Sequence, residues 1–261
     1  MRENEIRRQI GLARVLSKLG YCSRSRAAEL IRAGRVTLSG KIVRNPEMPV
    51  SGKKSQIAVD GKEVDSQPKV YLMLNKPRGV VTTASDEKGR ETIYDVLSAG
   101  FSTVKNDLTG ETLPWLAPVG RLDKASEGLL LLTNDSEWGA RIAAPEMHLN
   151  KTYHVQVGIV VEEDFIEALI RGVKTKDGEV LRAKQTHCLR AGPKNCWLEI
   201  ALDEGKNRHI RRMMESMGVE VLRLVRVGIG SLQLGDLPKG KHRSLTTDEK
   251  RMLDRSLRDK V

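Results

Sequence analysis

A carboxylate in a turn just ahead of a fully covered strand is well placed for chemistry, and residues 120–135, GRLDKASEGLLLLTND, contain one. Leu129 to Leu132 form an uninterrupted apolar run, which predicts a strand buried on both faces. Arg121 and Asp123 stand before it, in a turn bounded by Gly120 and Gly128. An Asp in that position can serve as nucleophile or general base. The plainer alternative is an exposed loop carboxylate paired with Arg121 or Lys124, an arrangement worth only about 0–1 kcal/mol. In EGKNRHIRRMMESMG, residues 204–218, Ile210, Met213, Met214 and Met217 share one helical face and Gly218 fits as the stop. Arg208, Arg211 and Arg212 then point to other faces. KTYHVQV, residues 151–157, alternates Tyr153, Val155 and Val157 against Thr152, His154 and Gln156, so the tyrosine belongs to the apolar side of a strand. Lys76 and Arg78 flank Pro77 in a tight turn, open either to an RNA phosphate or to solvent.

Several other chemistries are disfavoured. The sequence has no GxxxxGK[ST] phosphate loop, GIGSLQLG fails dinucleotide spacing, and neither HExxH nor GxSxG occurs. The five histidines, His148, His154, His187, His209 and His242, are scattered. We therefore expect no metal and no small-molecule cofactor. Cys22, Cys188 and Cys196 make an odd count without CxxC spacing, which favours reduced thiols. With no long uncharged apolar run and no apolar stretch after the first charges, neither a membrane span nor a secretory signal is supported, and a cytoplasmic protein is expected. The formal charge is +11, and residues 1–60 hold thirteen Lys/Arg against five Asp/Glu. Such a local surplus points to nucleic acid before an anionic membrane surface. Aromatic residues are only 3%, too few for rows of stacking rings.

The elements that must position these groups fall into two parts. Leu12, Val15, Leu16 and Leu19 repeat at helical spacing up to Gly20. A second helix starting near Ser23 or Ser25 buries Ala27, Ala28, Leu30 and Ile31 before Gly34. VTLSGKIV and QIAVDGKEV read as hairpins turning at Ser39–Gly40 and Asp60–Gly61. Arg24, Arg26, Arg32, Arg35 and Lys41 lie on or beside the helix pair with few opposing charges, as a phosphate-binding face would. After a short linker at 65–69, strands are expected at YLMLN, GVVTT, LLLLT, YHVQV, WLEIAL and VEVLRLVRV, and helices near 163–171 and 206–217. The stretch 98–114 reads as a surface loop, and the end from Thr247 as a charged helix or frayed tail. The class is α+β: a small helix-pair and β-hairpin domain over 11–64, then a mixed-sheet domain over 69–250.

The segment LARVLSKLGYCSRSRAAELIRAGRVTLSGKIV resembles the S-four RNA-binding domain, which implies binding to structured RNA. GRLDKASEGLLLLTND is similar to the catalytic motif of the pseudouridine synthases that modify ribosomal RNA, in which the Asp of GRLD is essential. NKPRGVV at 75–81, KTYHV at 151–155 and DEGKNRHIRRMMESMGVEVLRLVRVGIG at 203–230 follow the family's order. With an S-four domain in front, the arrangement resembles the branch acting on the small and large ribosomal subunits. The resemblance implies Asp123 as the catalytic carboxylate, Arg211 as its charged partner, Tyr153 stacked on the target uracil and Leu224 as the apolar wall behind it. It places Arg121, Arg208 and Lys76 on the substrate side. His209 stands where many relatives carry Gln. The implied partner is ribosomal RNA or a ribosomal assembly intermediate, and the alternative reading is a non-catalytic assembly factor that binds the same RNA.

Overall fold

The computed structural model describes residues 10–50, 56–83, 86–98 and 114–258. The loop expected over 98–114 therefore lies almost wholly outside the described residues. The chain forms two compact units, one of residues up to 70 together with 114–117 and 133–136, the other holding the remainder.

The first unit runs β1 (Ile10–Gly11), α1 (Leu12–Lys18), α2 (Arg24–Arg32), β2 (Val36–Leu38), β3 (Lys41–Val43), β4 (Pro49–Val50), β5 (Ile57–Val59) and β6 (Lys62–Glu63). Leu12 and Leu16 of α1 pack on Ala27, Leu30 and Ile31 of α2, with Val36, Ile57 and Val59 closing the core. Gly20 and Gly34 take the left-handed conformation that ends each helix. Ser23 caps α2 by accepting from the Arg26 amide at 3.1 Å. Both predicted turns have two successive residues at positive φ, Ser39–Gly40 and Asp60–Gly61, the hairpin geometry that matches strand twist.

The second unit continues with β7 (Tyr71–Lys76), α3 (Ile93–Ser98), β8 (Ala117–Val119), β9 (Glu127–Thr133), α4 (Ser136–Ala143), β10 (Lys151–Val157), α5 (Glu163–Arg171), β11 (Val173–Lys174) and β12 (Val180–Leu181). It ends with β13 (Gln185–Ala191), β14 (Cys196–Leu202), α6 (His209–Ser216), β15 (Val221–Ile229), β16 (Leu232–Gln233), β17 (His242–Ser244) and α7 (Thr247–Arg258). Among the described residues the main sheet is ordered β13-β14-β10-β15-β9-β7-β17, with β16 joined to β15 and β8 to β9. The α+β class and mixed sheet expected from the sequence are present. Leu129 to Leu132 are fully buried, as their unbroken apolar run demands.

The contact between β9 and β15 is parallel, with Glu127 opposite Val225 and Gly128 opposite Arg226. Gly128 has φ +103, and a Cβ there would meet the Arg226 carbonyl oxygen at 2.2 Å. Only glycine allows this approach. The strand expected at GVVTT does not form; it is reduced to a single bridge between Val81 and Thr92. The reason is local, because Thr82 turns its hydroxyl to the Leu122 carbonyl, so the segment braces a loop instead of joining a ladder.

Candidate active site

The sheet order brings β10, β15 and β9 side by side, so Tyr153, Leu224 and the turn before Glu127 converge on a cleft of about 430 Å³. Asp123, Arg121, Tyr153, Leu224 and Arg208 all line it. Leu224 is buried opposite Val155, and Tyr153, opposite Arg226, is half-buried against the core. Leu222, two residues earlier on β15, does not line the cleft. Arg208 is exposed at the left-handed residue that caps α6, with φ 47. Arg121 is exposed.

The turn carrying Asp123 is held by its backbone. The Leu122 carbonyl accepts from Thr82 Oγ1 at 2.8 Å. The Asp123 carbonyl accepts from the Ser126 amide at 3.0 Å and from Lys76 Nζ at 3.2 Å. The next three carbonyls accept from the Gly79 amide at 2.8 Å, Arg211 Nη2 at 3.0 Å and Lys76 Nζ at 2.9 Å. Five successive carbonyls are thus fixed, while the Asp123 carboxylate makes no hydrogen bond or ion pair with any described residue. The surface pairing with Arg121 or Lys124 that an ordinary loop would show is not formed.

Two sequence expectations are corrected here. Lys76 neither faces solvent nor lines the cleft: it is fully buried at the end of β7, and its ammonium gives three hydrogen bonds, to the carbonyls of Pro77, Asp123 and Ser126. The turn at Pro77 folds the lysine back under the neighbouring loop. Burial pulls its pKa from 10.5 to about 8, partly opposed by the charges of Asp123 and Glu127. Arg211 does not touch Asp123 directly. Its guanidinium bonds the Ala125 carbonyl and reaches Val221 at 3.5 Å, beneath the turn. Burial and then Arg208 hold its pKa below the usual arginine value, and the nearby Asp123 charge acts the other way. Arg211 therefore supports Asp123 through the backbone and through the field.

Arg212, one residue on, is not a free cation. It pairs with Asp177 and Glu179 at 2.7 and 2.8 Å.

The cleft wall also holds groups that the sequence did not single out. Arg226 is buried with one amine group lacking a partner among the described residues, and Ser126 Oγ is buried in the same condition. Buried polar groups of this kind are ready to meet polar atoms of a ligand. Burial lowers the pKa of His209 and, together with Arg226, that of Lys151, another wall residue. The readable signal for Arg226 was the alternation in VLRLVRV, which puts an arginine on the same strand face as Leu224. Glu127 is buried at the start of β9. Burial pushes its carboxyl up, but pairing with Lys239 and Arg223 outweighs this and holds it below its usual range.

In the first unit, Arg24, Arg26, Arg32, Arg35 and Lys41 are all exposed. The expectation that opposing charge is nearly absent needs correction. Arg26 pairs with Glu29, and Arg35 makes a two-pronged contact with Asp60. Arg24, Arg32 and Lys41 have no acidic partner among the described residues.

Residues 70–216 match the family described as RNA pseudouridylate synthase, and residues 10–57 match the S4 domain. The chain is 35% identical over 249 residues to ribosomal large subunit pseudouridine synthase B of Bacillus subtilis (strain 168), covering 95% of this chain and 96% of that one. It is 36% identical over 245 residues to an RNA pseudouridine synthase of Mycobacterium leprae (strain TN), covering 94% and 92%. A crystal structure of a pseudouridylate synthase superposes with a TM-score of 0.61 at 29% identity, over 94% of this chain and 99% of that one.

Proposed function

The chain belongs to the RNA pseudouridylate synthase family and carries an S4 domain, and we propose that it converts specific uridines of ribosomal RNA to pseudouridine. The reaction breaks the bond from the base nitrogen to the ribose, turns the uracil over and rejoins it through carbon 5. It is an isomerisation that needs neither redox change nor energy input, so no cofactor is required. The observation that carries the assignment to this site is Asp123, a carboxylate with no hydrogen-bond or ion-pair partner among the described residues, on a turn fixed carbonyl by carbonyl at the cleft wall.

A stacked uridine must first leave its helix, at a cost of a few kcal/mol that pocket contacts offset. Arg121, exposed at the rim, is suited to fill the vacated space. Tyr153 offers a ring for the uracil, backed by Leu224, and Arg208 offers charge to the adjoining phosphates. Asp123 then acts as nucleophile or base. Arg211 keeps the turn in place from below.

With domain limits of 11–64 and 69–250, the first domain would anchor structured RNA and raise the target's effective concentration at the second. Free ribosomal RNA or an assembly intermediate in the cytoplasm is the proposed substrate. No helix among the described residues is long and apolar enough to cross a membrane.

The test is tritium release from carbon 5 of labelled uridine in ribosomal RNA fragments, run without added cofactor and with chelator wherever the RNA folds without magnesium. Release by the unaltered chain and none by Asp123→Asn, at equal RNA affinity, is the expected result. An unaltered chain that binds but releases nothing from any ribosomal RNA would instead favour the assembly-factor reading.

A further inference from the structure

The β13–β14 hairpin carries a chemistry that uridine isomerisation does not use. The Cys188 and Cys196 sulfurs lie 3.3 Å apart, both as free thiols. Their proximity follows from a bulge. Ala191 pairs with Cys196 and Arg190 with Trp197, but the register then shifts, and Cys188 rather than Leu189 stands opposite Leu198. Skipping one residue turns Cys188 onto the strand face shared by Cys196 and Leu198, where the two cysteines become diagonal neighbours. Without the bulge Cys188 would face the other side of the sheet.

We propose that Cys188 and Cys196 are a reversible thiol–disulfide pair, a site of two-electron oxidation by peroxides. Closing the present separation to a bonded length of about 2.05 Å requires a movement of little more than about 1 Å, within one well-paired hairpin. The two thiols differ in access, since Cys188 is exposed and Cys196 is buried. Cys188 is the group a peroxide reaches. Its sulfur attacks the O–O bond, becoming a sulfenic acid and releasing water. The Cys196 sulfur then attacks that sulfenic sulfur, the S–S bond forms, and the hydroxyl leaves with a proton as a second water. Two thiols and one peroxide become one disulfide and two waters. Because β13 is the edge strand of the sheet, the link pins a sheet edge to its inner neighbour. It also takes Cys188 out of reach of further, irreversible oxidation. Burial pushes the Cys196 thiol up to about 11, which slows the second step but does not alter its geometry.

The experiment treats the reduced full chain with hydrogen peroxide, blocks remaining thiols under denaturing conditions, and maps the products. Cleavage after Arg190 and Lys194 puts the two cysteines on separate peptides. The expected result is a 188–196 linked pair reversed by dithiothreitol, with the blockable thiols falling from three to one, at Cys22. Cys196→Ser should leave Cys188 as a trappable sulfenic acid that proceeds to sulfinic acid. Cys188→Ser, a change at an exposed position that spares the core, should abolish the linkage and leave Cys196 reduced. Three blockable thiols after treatment, Cys188 over-oxidised without a linked peptide in the unaltered chain, or a linkage found only between two molecules would each overturn the proposal.

Discussion

Replacing Lys76 with methionine keeps the stem of the side chain and removes the ammonium, and the structure separates what this does to stability from what it does to turnover. The folded protein holds Lys76 at about 8 instead of 10.5, so burying its charge costs roughly 3 kcal/mol near neutral pH, and methionine relieves that. Against this, the carbonyls of Pro77 and Ser126 lose their donor, whereas the Asp123 carbonyl keeps the Ser126 amide. Two orphaned buried acceptors cost about 1–3 kcal/mol each. The net change in stability is therefore small, between a gain of about 1 kcal/mol and a loss of about 3 kcal/mol. Turnover should fall far more, because a displacement of the Asp123 turn by about 1 Å costs on the order of 100-fold. The sign of the pH effect is also fixed. Below about 8 the folded and unfolded forms both carry the proton and the penalty is complete. Between about 8 and 10.5 only the unfolded form retains it, so this group makes the unaltered protein gain stability as pH rises, and Lys76→Met should lose that increment. Denaturant midpoints across that range and kcat measured apart from KM by tritium release are the assays. Unchanged kcat with raised KM would mean that Lys76 meets RNA, and the account of a buried strut would be wrong.

Arg211→Ala should lower kcat by at least about 10-fold with little change in RNA affinity, since it loosens the Ala125 carbonyl and removes a supporting charge; reduced binding at normal kcat would contradict this. Arg212→Ala should leave both parameters near normal and lower the denaturant midpoint only slightly, because its partners Asp177 and Glu179 are themselves partly solvated. In the S4 domain, alanine at Arg24, Arg32 or Lys41 should each reduce the log-log salt slope of RNA binding by roughly 0.7–0.9. The same change at Arg35, already held by Asp60, should do less, and equal slopes for all four would remove the distinction. Gly128→Ala should destabilise the fold by about 3 kcal/mol, since the new Cβ collides with the Arg226 carbonyl at a backbone angle that disfavours side chains; thermal melts that match the unaltered chain would refute that reading.

What the sequence made legible was whatever depends on periodicity and turn chemistry. The helices around 163–171 and 206–217, the buried run Leu129–Leu132, and the Ser39–Gly40 and Asp60–Gly61 turns are of this kind, whereas it is the order of the main sheet that brings Asp123, Tyr153 and Leu224 to one cleft. The short β8, β11, β12, β16 and β17 escaped because two or three residues carry no period. Helix α3 did leave a signal that was passed over: Thr92 and Asp95 cap each other, the Asp95 carboxylate taking the Thr92 amide at 2.7 Å and the Thr92 hydroxyl taking the Asp95 amide at 3.3 Å. The sequence singles out Lys76 and Arg211 but not their contacts. A buried lysine bonded to carbonyls distant in sequence has no local pattern, and nothing in residue order tells a guanidinium that grips a carboxylate from one that grips the peptide beside it.

That last difference bears on how the site works. A guanidinium in direct contact with Asp123 would stabilise the carboxylate and so weaken it as a nucleophile or base. Here the cations sit one layer back. Lys76 and Arg211 both hydrogen-bond the backbone of residues 123–126, which fixes where the carboxylate is without engaging it. Position is thus set through neutral carbonyls, and the Asp123 carboxylate takes no hydrogen bond from any described residue. On the proposed reading NKPRG matters to the reaction as GRLD does, although Lys76 does not line the cleft.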